Sequence, residues 1–179
     1  MSTPKRLLAL EIRASRLGFA VLEGSTRLLD WGVRSFGEQN DKLRSVVSDR
    51  IGTLLAFHKP AAVVARVRKY HSAGQNKRFL TILATIRSET MRNSTKFFVL
   101  TRRQARVRFG PNGQVTKHDI ATSLVKQFEE LSWKLPGRRK AYQSEAPAML
   151  VFDALANGVA FVGRQTPSTS DGSSNWPFR

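Results

Sequence analysis

A change of hydrophobic period near residue 40 constrains this chain more than any other feature. Before it, apolar side chains fall in three short runs, 6–13, 17–22 and 27–36, parted by a polar turn at Ala14-Ser15 and by Glu23-Gly24-Ser25. Runs of this length bounded by turn residues read as strands, and such short connections make them an antiparallel meander. Gly18, inside the second run, permits close backbone approach or a bulge. Between about 41 and 57 the period becomes helical, with Leu43, Val46, Val47, Ile51, Leu54 and Leu55 on one face. Lys59-Pro60 ends that helix, because proline has no N–H to continue the ladder.

The remainder alternates. Residues 61–67 read as a short buried strand, 76–91 as a helix and 96–100 as a strand. A basic helical turn follows, then the loop Gly110-Pro111-Asn112-Gly113. A helix is expected over 117–131, with Ile120, Leu124, Val125 and Phe128 on one face, and a last one over 145–162, with Ser144 as its N-cap. The order βββαβαβα predicts an α/β domain: a mixed five-stranded sheet flanked by helices, spanning 1–163. A length of 179 residues suits one continuous core. Residues 164–179, rich in Ser, Thr, Pro and Gly, are expected to be a disordered tail whose Trp176-Pro177-Phe178 end can dock.

Charge narrows the function. The net charge is +17 and the sequence pI about 11.5, a self-repulsion that a polyanion offsets, so nucleic acid is the default partner. The excess is concentrated in the middle of the chain. Residues 61–140 carry eighteen basic against four acidic side chains, residues 1–60 ten against six, and residues 141–179 two against three. No apolar run has the length of a membrane-spanning helix and no secretory core opens the chain, so a cytoplasmic protein without membrane association is expected. The absence of cysteine excludes disulfides, thiolate zinc sites and thiol nucleophiles. His58, His71 and His118 lack metal-ligand spacing.

Three segments, in order, carry a likeness. Leu8-Ala9-Leu10-Glu11-Ile12-Arg13 places an acidic residue at the end of the first strand, and Gly18 opens the next. Gly110-Pro111-Asn112-Gly113 precedes Lys117, an amphipathic helix and Leu135-Pro136. The last helix carries Asp153-Ala154-Leu155-Ala156. In these features the chain resembles the RuvC family of Holliday junction resolvases, of RNase H-like fold, over roughly residues 6–162. The departures are a Glu at the first acidic position without the following Pro-Gly, Arg66 where the family has a Glu at the end of the fourth strand, and Leu150 at a further acidic position.

The resemblance implies a metal-dependent, structure-selective endonuclease that cuts branched DNA as a homodimer, its carboxylates holding Mg2+ or Mn2+. The residues available are Glu11, Asp153 and Glu145, the last on the same helical face as 149 and 153 if the helix begins there. Lys117 inherits a place near the scissile phosphate. Arg66, Arg68, Lys69, Lys77 and Arg78, with Arg102, Arg103, Arg106, Arg108 and Lys117, form two clusters suited to phosphates, and Tyr70 is placed to stack on an unpaired base. Other readings stay open. Glu11 can pair with Arg66 across neighbouring strands, leaving a protein of this fold that binds DNA or RNA without cutting it. Glu145 can serve only to complement a helix dipole. A third class is a structural protein packed on folded RNA.

Overall fold

The computed structural model describes residues 5–68, 71–110, 114–138 and 144–165. The meander forms as expected: β1 (Arg6–Ile12), β2 (Arg16–Glu23) and β3 (Arg27–Ser35). Then come α1 (Leu43–His58), β4 (Ala62–Arg66), α2 (Ala73–Arg92) and β5 (Lys96–Leu100). The chain continues through α3 (Arg102–Arg106), a 3-10 turn (Val107–Phe109), α4 (Lys117–Gln127), a second 3-10 segment (Glu129–Lys134) and α5 (Met149–Gln165). The sheet order is β3-β2-β1-β4-β5. Its meander pairs are antiparallel, whereas β1–β4 and β4–β5 are parallel. This is the mixed five-stranded RNase H-like sheet that the element order predicts. The tail beyond 165 lies outside the described residues, as do Lys69, Tyr70 and the tip of the 110–113 loop.

Both sheet faces are covered, and strand parity assigns each side chain to one of them. Leu7, Ala9, Ala20, Leu22 and Val64 pack against α4 and α5; Leu8, Leu10, Phe19, Val21 and Val63 pack against α1 and α2. The fully buried rings of Phe19, Phe79, Phe128 and Phe152 each contribute on the order of 1.5–3 kcal/mol to these two layers. The β2, β1 and β4 strands, buried on both sides, are the inner strands that this double cover requires.

Two glycines set how near α5 comes. A Cβ on Gly18 would lie 2.3 Å from the Leu150 carbonyl oxygen, and one on Gly158 would lie 2.7 Å from Leu22 Cδ1. The first turn of α5 therefore rests directly on β2 backbone.

Three helix boundaries differ from expectation. The helix expected over 117–131 breaks at Phe128, whose φ of −128° and ψ of 76° turn the chain so that both Phe128 and Leu131 remain buried. The last helix starts at Met149 and not at 145. Pro147 biases Ala146 away from helical torsions, and the turn is made instead by the Met149 and Leu150 amides donating to the Ala146 and Pro147 carbonyls. Glu145 is thus not on a helical face shared with Asp153. The second helix begins at Ala73 because Ser72 accepts the Gln75 amide as an N-cap. Among the described residues, no helix is long and apolar enough to cross a membrane.

Candidate functional site

The carboxyl ends of the parallel strands β1 and β4 lie side by side, where ligands of open α/β sheets bind. Glu11 shares the parity of Leu7 and Ala9, and Arg66 that of Ala62 and Val64, so both face α5. The register Leu10↔Ala65 makes them neighbours on that face. Above them, one turn apart on α5, are Asp153 and Asn157. Lys117 arrives from the first turn of α4, whose start is set by a reciprocal capping box between Thr116 and Asp119. The Thr116 hydroxyl, more than the amide of the same residue, holds the exposed Asp119 carboxyl below its ordinary pKa. The tight β1–β2 turn presents Arg13, and the segment before α5 presents Glu145.

Every carboxylate here is engaged by a side-chain cation. Arg66 Nη2 donates to Glu11 Oε1 at 2.6 Å, with the two side chains 7% and 1% exposed. Arg68 Nη2 lies 3.3 Å and Arg13 Nε 3.7 Å from the same oxygen, while Asn157 Nδ2 donates to Glu11 Oε2 at 3.3 Å and to the Leu10 carbonyl at 2.9 Å. Arg13 Nη2 bridges Glu145 Oε2 at 2.9 Å and Asp153 Oδ2 at 3.1 Å. Lys117 Nζ donates to Glu145 Oε1 and, at 2.7 Å, to Asp153 Oδ2. Burial works against the charge on Arg66, but Glu11, then Asp153 and Glu145, outweigh it and hold its pKa above the usual value. The cluster is a closed network of three anions and four cations.

A cleft of about 1410 Å³ opens beside it. Seven of its lining residues are Arg13, Arg66, Arg68, Arg102, Arg106, Lys117 and Arg138, and Glu145 is the one carboxylate among the described residues on the wall. Among the described residues Arg106 has no carboxylate partner, and its Nε is buried without a hydrogen bond. Burial first, then repulsion from Arg102 and Arg66, lowers its pKa. A surplus cation held in that position favours an incoming anion.

The structure brings together Glu11, Glu145, Asp153 and Lys117, and places Arg66, Arg68, Arg102 and Arg106 on the cleft. Lys77 and Arg103 are exposed but do not line it. Arg108 lies elsewhere, its guanidinium against Gly163 of α5. Arg78 is spent within the chain: it donates to the carbonyls of Ala14, Gly37, Glu38 and Gln39 and to the Asn40 side chain. A guanidinium with so many acceptors is a clamp on two loops, and charge alone could not reveal that. Arg13 and Asn157 were not anticipated. Asn157 had a signal in periodicity, four beyond Asp153 on the same helix face, whereas Arg13, one residue past the end of β1, is positioned by the turn.

A divalent ion does not fit this donor set. Its ligands would be carboxylate oxygens already committed to Arg66, Arg13 and Lys117, within a cluster whose contacting charges sum to +1. Among the described residues, no three His, Asp or Glu side chains stand close enough to hold a metal ion.

No family model matches the chain, and no curated protein matches it in sequence. Solved structures do. The RuvC structure of Thermus thermophilus superposes with a TM-score of 0.68 at 16% identity, over 89% of this chain and 95% of that one. RuvC of T. thermophilus in complex with a Holliday junction substrate gives 0.68 at 14%, over 89% and 96%. The yeast mitochondrial Holliday junction resolvase gives 0.64 at 12%, over 90% and 79%. At such identities the likeness is one of fold: the chain has the RuvC-type RNase H-like fold.

Proposed function

We propose that this protein binds branched DNA in the basic cleft and that its acidic cluster, closed by cations, recognises the backbone without cutting it. The observation that carries this reading is the buried Arg66–Glu11 bridge of 2.6 Å. It puts a permanent positive charge beside the carboxylate on which metal-dependent hydrolysis in this fold would depend. The surplus of Arg and Lys around the cleft supplies phosphate contacts in its place. The preference for branched over linear DNA is taken from the fold neighbours, one of which is a complex with a Holliday junction substrate. A four-way junction has two-fold symmetry, which a homodimer would match.

A second reading is supported by one observation. Glu11, Glu145 and Asp153, from three separate segments, all contact the one side chain of Arg13, and a metal-dependent endonuclease would need them to draw closer around an ion in its place. Cleavage would then require Arg13, Arg66 and Lys117 to withdraw when DNA arrives. One experiment separates the two. A fluorescein-labelled four-way junction is titrated in EDTA and in Mg2+ or Mn2+, and the same mixtures are run on denaturing gels. Binding in both media without nicks is expected, with no gain in affinity from the metal, which competes for the same phosphates. Metal-dependent nicks that vanish in Glu11→Gln and Asp153→Asn would overturn the proposal and establish the nuclease.

A further inference from the structure

We infer that Arg13 and Lys117 form a subsite for one backbone phosphodiester, filled in the free protein by the chain's own Glu145 carboxylate. The inference rests on the cleft being the nucleic-acid surface. Each Glu145 oxygen takes a different cation, Oε2 the Arg13 guanidinium at 2.9 Å and Oε1 the Lys117 ammonium. Two non-bridging phosphate oxygens would divide between the same donors in the same way. Both cations line the cleft, with side chains 22% and 27% exposed, so an anion can reach them from solvent.

The subsite is preorganised from beneath. Asp153, 9% exposed on α5, accepts from Arg13 at 3.1 Å and from Lys117 at 2.7 Å. These bonds keep both cations in place when Glu145 departs, so an incoming phosphodiester meets donors already ordered. Glu145 is the one free to leave. At 32% it is the most exposed carboxylate of the cluster, and it sits in the irregular segment before the turn that starts α5, so its withdrawal breaks no helix. Exchanging a carboxylate for a phosphodiester leaves the local charge unchanged. Glu145 therefore competes with the ligand, which reverses the sign expected of a residue that assists binding or catalysis.

That sign is the test. Anisotropy of a fluorescein-labelled four-way DNA junction is measured with the full chain at constant salt. Glu145→Gln is expected to bind about fivefold tighter than wild type or better. Asp49→Asn, which removes an exposed carboxylate of α1 on the sheet face away from the cleft, is expected to change affinity less than about twofold. Lys117→Met in the Glu145→Gln background should abolish the gain. Equal or weaker binding by Glu145→Gln, or a gain that survives Lys117→Met, would overturn the inference. So would a gain seen for inorganic phosphate by calorimetry but not for the junction. Arg102→Ala with Arg106→Ala tests the surface itself: affinity unchanged there sinks the nucleic-acid reading. Weakened binding there, with no gain from Glu145→Gln, sinks the subsite alone.

Discussion

Removing one member of the Arg66–Glu11 pair should show how strongly the closed cluster depends on it, and which partner has substitutes. Glu11→Gln leaves Arg66, 7% exposed, without a carboxylate in contact, and raises the contacting charge of the cluster from +1 to +2. Unit charges about 4 Å apart interact by about 4 kcal/mol at an effective dielectric of about 20. Uncompensated buried charges typically cost about 3–5 kcal/mol, and that is the loss expected of Glu11→Gln. Arg66→Met is milder. Glu11 then retains Arg68 at 3.3 Å, Asn157 at 3.3 Å and Arg13 at 3.7 Å. The loss should be nearer the about 1.5–3 kcal/mol of one charged hydrogen bond. The double variant should cost less than the sum of the singles, with a coupling of about 1–3 kcal/mol. Urea unfolding at pH 7 with a shared slope measures all three. Losses from Glu11→Gln and Arg66→Met that agree within about 0.5 kcal/mol, or that simply add, would refute the reasoning.

Three other outcomes follow from the geometry. Gly18→Ala places a methyl 2.3 Å from the Leu150 carbonyl, so α5 must shift and carry Asp153 with it; a loss of about 1–3 kcal/mol is expected in urea, together with weaker junction binding. Arg78→Ala should destabilise by about 1–3 kcal/mol and speed amide exchange around residues 37–40, while junction affinity stays within about twofold, because this guanidinium is occupied by loop carbonyls. The Asp119 carboxyl has its pKa lowered from 3.8 chiefly by the Thr116 hydroxyl, so its contribution is complete above that value and is lost as pH falls through the depressed one. The Tm difference between wild type and Asp119→Asn should therefore be present at neutral pH and shrink as the pH falls below the ordinary carboxylate range; a constant difference would contradict it.

Much of the fold was legible because its signals are local. The short apolar runs of β1 and β4 mark buried strands without reference to the rest of the chain, but only the register Leu10↔Ala65 puts Glu11 and Arg66 on one side of the sheet. The change to helical period, the Lys59-Pro60 stop and the mid-chain basic excess are likewise written residue by residue. Helix ends were less legible. Pro147 moves the start of α5, and the break at Phe128 depends on which side chains the core can take, which periodicity alone does not say.

Local patterning alone thus yields the mixed sheet with its helical cover, the positive charge that calls for a polyanion, and the few carboxylates available. Which cations those carboxylates meet is set by long-range packing. Arg13 meets Glu145 across 132 residues, Arg66 meets Glu11 across 55, and Lys117 meets Asp153 across 36. Such pairings are settled by distances of a few tenths of an ångström in a medium where charge is costly to bury, and that information resides in packing. The same three carboxylates would read as metal ligands had the neighbouring positions been neutral. Four cations within reach instead engage them as ion pairs beside a basic cleft.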